Sequence, residues 1–169
     1  MPYIEKEFFK IGSYHFVAAS YQQQLCMFDY QYRKQGAQIE GRLQQQLGVS
    51  VREHSCDTNR QGAQQVEQYL LGQRQQFDLP LLLVGTSFQK LVWQQLLQIP
   101  YGKTTSYAQL ADAIGESKAI RAVGAANGAN ALAIIVPCHR VIASDGNLTG
   151  YAGGLALKKK LLKLETSMF

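Results

Sequence analysis

The sequence predicts an α+β chain in two parts, a small sheet-and-helix unit over residues 1–84 and a mostly helical unit over residues 85–169. Three observations predict it. Aromatic and β-branched residues gather into two short strand-like runs near the start. Beyond residue 85, apolar residues recur at helical spacing between strong capping signals. Charge divides along the same line. Residues 1–85 hold eight basic and eight acidic side chains, whereas residues 86–169 hold nine basic against four acidic, so the whole net charge of +5 falls in the second part.

In chain order, residues 14–19 and 24–30 read as strands. Glutamine-rich segments follow around residues 44–46 and 61–76. The second comes after Asp57-Thr58-Asn59, a helix-capping cluster, and its Val66, Tyr69, Leu70 and Gln73 recur with helical spacing. The reading is one amphipathic helix ended by Phe77-Asp78-Leu79-Pro80, with residues 81–84 a short strand or linker. In the second part, Thr86 or Ser87 caps a helix carrying Phe88, Leu91, Val92, Leu96 and Ile99 on one face, and Pro100-Tyr101-Gly102 stops it. Ser106 and Gln109 have capping-box spacing, and the helix they open ends at Gly115. Ser117 is expected to cap the next helix, which runs to Asn127-Gly128. Two short helices joined at Gly115-Glu116 make a helix-turn-helix candidate. Its Ala122, Gly124, Ala125 and Ala126 permit close approach to another surface. Residues 131–136 read as an extended apolar run, Asp145-Gly146 as a turn and residues 150–154 as a tight glycine-rich loop. Residues 155–165 read as a final helix with Lys158, Lys159, Lys160 and Lys163 exposed.

Composition narrows the function. Hydrophobic residues make up 46% of the 169, enough for a buried core. The longest apolar runs, residues 79–84 and 131–137, fall far short of the roughly 20 residues a membrane helix needs, so no membrane role is expected. Three cysteines, Cys26, Cys56 and Cys138, are an odd number without CxxC spacing. That fits a reducing cytoplasm and no disulfide framework. His15, Cys26, His54 and Cys56 match no structural zinc pattern, so no metal and no cofactor are expected. A basic second part suits a polyanion or serves solubility alone.

Cys138 is the residue with the most chemistry to offer, in Pro137-Cys138-His139-Arg140. A free thiol ionises near about 8.5, and a neighbouring base or cation raises its thiolate fraction. His139 could take the thiol proton, although neighbours in sequence often point apart. On the residues alone, Cys138 reads either as a nucleophile or as a small buried apolar side chain. Arg121 reads as a solvated arginine or a phosphate contact, and Tyr107, Tyr151 and Trp93 as core aromatics.

The stretch from Thr86 to Glu165 resembles the catalytic domain of methylated-DNA–protein-cysteine methyltransferases, also called O6-alkylguanine-DNA alkyltransferases. The residues that carry the resemblance are Ile135-Val136-Pro137-Cys138-His139-Arg140-Val141-Ile142, with Phe88-Gln89, Val92-Trp93, Ile99-Pro100-Tyr101-Gly102, Ser106-Tyr107 and Arg121-Ala122-Val123-Gly124. Asn130 and Glu165 stand at the family's spacing from Cys138. The resemblance implies a ribonuclease H-like N-terminal α/β domain and a winged helix-turn-helix-type catalytic domain. It implies irreversible, one-time transfer of an alkyl group from O6-alkylguanine in double-stranded DNA, and also from O4-alkylthymine, to Cys138. His139 would be the water-mediated base, oriented by Glu165, and Asn130 a hinge behind the cysteine loop. The second helix would enter the minor groove and flip the nucleotide. Arg121 would fill the gap and Tyr107 would contact the flipped base. Ser106, Ala122, Gly124, Ala125, Asn127 and Arg140 would line the DNA surface. Ser144, Tyr151, Ala152, Val141 and Trp93 would form the base pocket. A monomer with little sequence specificity is implied. Ala152 replaces a serine of some relatives, and Ala131 and Ala133 replace prolines, which bears on the largest alkyl group accepted. The family's zinc-bearing regulators have an additional domain that this sequence does not match, so transcriptional activation is not expected. A lesion sensor lacking the nucleophile is disfavoured by Cys138. A helix-turn-helix regulator would leave Cys138, His139 and Glu165 unexplained. A cysteine hydrolase would need an oxyanion hole and a separate His and Asn/Asp pair.

Overall fold

A computed structural model describes residues 2–166. The chain divides into two compact units at Gly85/Thr86.

The first unit is built on a four-stranded sheet in the order β3-β2-β1-β4. β1 (Ile4–Ile11), β2 (Tyr14–Tyr21) and β3 (Gln24–Tyr30) form an antiparallel meander. Gly12 turns the first hairpin at φ +61°. Gln22 and Gln23 turn the second, both at positive φ, as a two-residue hairpin loop requires. β4 (Val51–Glu53) returns parallel to β1 after helix α1 (Gly36–Leu47). Helix α2 (Asp57–Leu70) buries Ala63, Val66 and Tyr69. Gly62 faces β3, where a Cβ would stand in ordinary contact, 3.4 Å from the Leu25 side chain. Phe16, Phe28 and Tyr30 fill the core, with ring centroids 5.0 and 5.2 Å from Phe16.

Several expectations for this unit need correction. β1 has three consecutive charged residues, Glu5, Lys6 and Glu7, before Phe8 and Phe9, and β4 is three residues long, so neither shows the alternation of a strand locally. Their pairing is what makes them strands. α2 starts at Asp57, the first residue of the cluster expected to precede it, and Cys56 stands at its N-cap without a side-chain bond. It ends at Leu70, because Gly72 takes φ +75° well before Phe77. Residues 81–84 are irregular apart from a single bridge from Leu81 to Leu25.

The second unit holds α3 (Ser87–Leu96), α4 (Tyr107–Ala113), α5 (Ile120–Gly128) and α6 (Leu155–Thr166). Thr86 and Gln89 form one capping box, Ser106 and Gln109 another. Gly115 ends the α4 segment at φ +76°. The connection from α4 to α5 is longer than expected. Residues 116–119 close a turn through the Ala119 amide and the Glu116 carbonyl, 2.8 Å, and Ala119 occupies the N-cap. Ser117 therefore lies in the turn and caps nothing. Two short strands, β5 (Thr105–Ser106) and β6 (Val141–Ile142), pair in parallel and set the start of α4 beside the chain that follows Cys138.

Residues 131–136 are not extended. They form a succession of turns in which every residue is buried, and Ile134 takes φ +71°. Asn130 explains this course. Its amide donates to the carbonyls of Val136 at 2.9 Å and Leu132 at 3.3 Å, while its oxygen accepts from the Leu132 amide at 2.9 Å. One side chain thus supplies hydrogen bonds that a strand would take from a neighbour.

Candidate active site and nucleic-acid interface

Cys138 opens a short 3-10 turn, Cys138–Arg140, directly after the Asn130-braced loop. It is 7% exposed. Asn127, near the end of α5, donates to the Cys138 carbonyl at 3.4 Å, so the helix and the cysteine turn are tied to each other. Asn127 was expected on the DNA surface, but it is 6% exposed, and its amide nitrogen makes that tie.

The turn drives His139 and Arg140 inward onto Glu165 of α6. His139 Nε2 lies 2.7 Å from Glu165 Oε2. Arg140 grips the same carboxylate twice, Nε to Oε1 at 2.8 Å and Nη2 to Oε2 at 3.0 Å, and donates through Nη1 to the Ile99 carbonyl at 2.7 Å. The Gly102 amide adds a fourth donor to Oε1 at 3.2 Å. A single carboxylate with this many charge-assisted donors fixes both side chains of the turn. Arg140 is 6% exposed, so its expected place on the DNA surface is corrected. Its guanidinium holds the turn and lies 5.7 Å from the centre of the Tyr101 ring.

Burial lowers the pKa of His139, while the hydrogen bond to Glu165 and its charge pull the other way; Arg140 and Lys158 add to the lowering. The direction favours a neutral imidazole, the form able to accept a proton. Tyr151 meets the imidazole edge-on, ring centroids 6.4 Å apart.

Lys158 overturns the expectation of an exposed lysine. It is 0% exposed, and its ammonium donates to the carbonyls of Val141 at 2.7 Å and Thr149 at 3.2 Å. Desolvation lowers its pKa, opposed by the charge of Cys138. The Lys158 ammonium and the Cys138 sulfur are thus within electrostatic reach of each other. Lys159, Lys160 and Lys163 are exposed as expected.

Arg121, Ala122 and Ala125 are exposed along α5, and Gly124 is half-buried. A cavity of about 410 Å³ opens beside them, lined by Tyr107, Ile120, Gly124, Asn127, Gly128, Thr149 and Gly150. The Tyr107 ring packs near Gly124, where a Cβ would come within 3.9 Å of it. Its hydroxyl meets Thr149 Oγ1 at 2.6 Å. Ser106 spends its hydroxyl on the Gln109 amide, capping α4. Trp93 was expected in the base pocket. It is 2% exposed, and its indole donates to the Ala126 carbonyl at 2.8 Å, joining α3 to α5. Val141 is buried on β6, Ser144 is exposed in the following turn, and Tyr151 and Ala152 are half-buried; none of the four lines this cavity.

A larger cavity of about 700 Å³ lies in the first unit. Its Arg52 and His54 both pair with Glu5, at 3.3 and 2.7 Å, and it holds none of the groups gathered around Cys138. The smaller cavity touches the supports of the cysteine turn, through Asn127 and Thr149, although Cys138, His139, Arg140 and Glu165 do not line it. Among the described residues no group of three or more His, Cys, Asp and Glu is placed to hold a metal. Cys26 is buried against the Ala19 carbonyl, and burial pushes its thiol up to about 12. Among the described residues no helix is long and apolar enough to cross a membrane.

Gly102, Asn127 as a tie, Thr149 and Lys158 were missed as contributors to the site. Only the spacing of Pro100-Tyr101-Gly102 offered a hint for the first. The partners of the others are backbone carbonyls or hydroxyls remote in sequence.

Residues 87–167 match the model of the 6-O-methylguanine DNA methyltransferase DNA-binding domain. A methylated-DNA–protein-cysteine methyltransferase of Methanosarcina barkeri is 57% identical over 106 residues, which cover 63% of this chain and 67% of that protein. The crystal structure of Mycobacterium tuberculosis OGT in complex with DNA superimposes with a TM-score of 0.80 at 37% identity, over 97% of this chain and 94% of that one. The O6-methylguanine-DNA methyltransferase of Pyrococcus kodakaraensis gives 0.70 at 28% identity, over 96% and 98%. Both the sequence match and the whole-chain structural match lead to one conclusion: the chain belongs to the methylated-DNA–protein-cysteine methyltransferase family.

Proposed function

We propose that this protein repairs alkylated DNA by direct reversal, moving the alkyl group of O6-alkylguanine, and also of O4-alkylthymine, onto Cys138. The observation that carries the reading is the buried set Cys138, His139, Arg140 and Glu165, in which one carboxylate holds the imidazole and the guanidinium of the two residues that follow the thiol. Cys138 Sγ attacks the alkyl carbon, the carbon–oxygen bond breaks, and its electron pair stays on guanine. The thiol proton passes through a water to His139, and Glu165 stabilises the imidazolium that results. The product is a thioether, a poor leaving group without an acidic proton, so each molecule acts once.

DNA docks on the exposed face of α5, where Ala122, Gly124 and Ala125 leave room for a minor-groove approach and Arg121 fills the space of a flipped nucleotide. The flipped base enters beside Tyr107, with residues 143–154 as the wall of its pocket. Contacts to phosphates make the binding salt-dependent and nearly blind to sequence. In this reading the first unit is ribonuclease H-like, the second is a winged helix-turn-helix, and the protein acts as a cytoplasmic monomer without a cofactor. Its three free cysteines fit a reducing compartment.

The test is a mass measurement. After incubation with duplex DNA containing O6-methylguanine, the peptide holding Cys138 gains one methyl group, and Cys138→Ala abolishes transfer while duplex binding persists. Turnover beyond one lesion per protein, or an unmodified Cys138, excludes the mechanism.

A further inference from the structure

Tyr107 presents a single hydroxyl to the cavity, and that hydroxyl is already engaged. Its Oη lies 2.6 Å from Thr149 Oγ1, and both residues line the same wall. Either oxygen could be the donor. The Thr149 backbone is itself fixed, because the buried Lys158 ammonium donates to its carbonyl at 3.2 Å. Lys158 also holds the Val141 carbonyl, three residues beyond Cys138. From the cysteine turn, a continuous polar path therefore runs through Lys158 and Thr149 to the Tyr107 hydroxyl.

We infer that Thr149 is the positioning residue for the Tyr107 hydroxyl, holding Oη at one place and reversing the direction of their shared hydrogen bond when a base arrives. The inference rests on the reading above, in which Tyr107 hydrogen-bonds the flipped base. A phenol is the stronger donor of the two groups, so in the free protein Tyr107 donates to Thr149. A hydroxyl carries one proton and two lone pairs. When a base offers an acceptor, the Tyr107 proton rotates to it, and the Thr149 proton rotates to Tyr107 Oη. Two hydrogens move and both oxygens keep their places. The Tyr107 proton has an acceptor before and after, so loading the base does not cost Tyr107 its hydrogen bond. In the loaded state the chain Thr149 to Tyr107 to base runs donor to acceptor throughout, and each bond polarises the next. As a base loses its alkyl group and gains negative charge, a donor strengthened in this way stabilises the leaving group.

Removing the Thr149 hydroxyl costs one neutral hydrogen bond, which corresponds to a loss of about five- to tenfold in rate. The experiment is single-turnover alkyl transfer with saturating duplex containing O6-methylguanine, alongside the duplex dissociation constant. Thr149→Val keeps the side-chain shape. It is expected to slow transfer about five- to tenfold and to leave duplex affinity unchanged. Thr149→Ser keeps the hydroxyl and restores the rate to within about twofold of the unaltered protein. In a Tyr107→Phe background, Thr149→Val has no further effect beyond about twofold, because the partner is gone. Unaltered rates in Thr149→Val, equal slowing in Thr149→Ser, or equal slowing with and without the Tyr107 hydroxyl would each overturn the inference. If Thr149→Val does not fold, Thr149→Ala against Thr149→Ser makes the same comparison. Failure of the unaltered protein to transfer the methyl group is the separate result that removes the proposed function itself.

Discussion

Asp29 in the first unit and Glu165 in the second are both 2% exposed and both meet an arginine, but the protein compensates their burial to different degrees. Asp29 accepts from Arg33 Nη1 and from the Tyr30 amide, both at 2.9 Å. Desolvation outweighs those contacts and the charges of Arg33 and Arg42, and pushes its pKa up to about 6. Glu165 receives four donors, three of them from the two residues that follow Cys138. The first carboxylate is a local clasp at the end of β3. The second organises the turn that carries the sulfur. The contrast teaches that a buried charge is tolerated in proportion to its donors, and that the denser cluster marks the place where geometry matters most.

Glu165→Gln should break this comparison most severely. It leaves Arg140 buried without its counter-charge, so a loss of about 3–5 kcal/mol in unfolding free energy is expected, read as a lower denaturant midpoint. A change under about 1 kcal/mol would show that Glu165 does not hold the turn.

Asp29→Asn sharpens the other side through pH. The folded pKa of Asp29 is raised, so the native state binds its proton more readily than the unfolded chain does. The stability this contributes is complete below the ordinary value of 3.8 and is lost as pH rises to about 6. The asparagine variant has no such loss. Relative to the unaltered protein it should gain stability across that window, by at most about 3 kcal/mol. Parallel stability profiles from pH 4 to 6 would contradict the shift.

Arg121→Ala carries the smallest expected effect on stability, within about 0.5 kcal/mol, because the side chain is exposed. Its effect belongs to DNA: repair in duplex slows while reaction with a free alkylated base does not. Equal slowing of both would remove Arg121 as the residue that fills the gap.

Legibility followed the range of the interactions. Both capping boxes and the Gly115 stop were readable because all their partners lie within a few residues. Cys138, His139 and Glu165 were named through family motifs, and the structure sets the last two 2.7 Å apart. Lys158 was misread because three of its lysine neighbours do face solvent, and only carbonyls nine and seventeen residues away draw it inward. Arg140 was placed on the DNA surface through the family resemblance, while its burial depends on a carboxylate 25 residues on. β1 and β4 were invisible for the same reason: the parallel pairing of Ile4 with Val51 is non-local.

Ile134 adds a mechanical consequence. A β-branched residue at φ +71° is held against its own steric preference, at roughly 1–2 kcal/mol. The restraint comes from the Asn130 amide, whose bonds to Leu132 and Val136 straddle the twisted residue. The backbone leading to the sulfur is therefore wound like a clock spring whose catch is the Asn130 side chain together with the Val136 amide on the Leu132 carbonyl, 2.8 Å. Releasing the catch would let the coil unwind toward its relaxed shape and carry Cys138, four residues downstream, out of register with everything arranged around it.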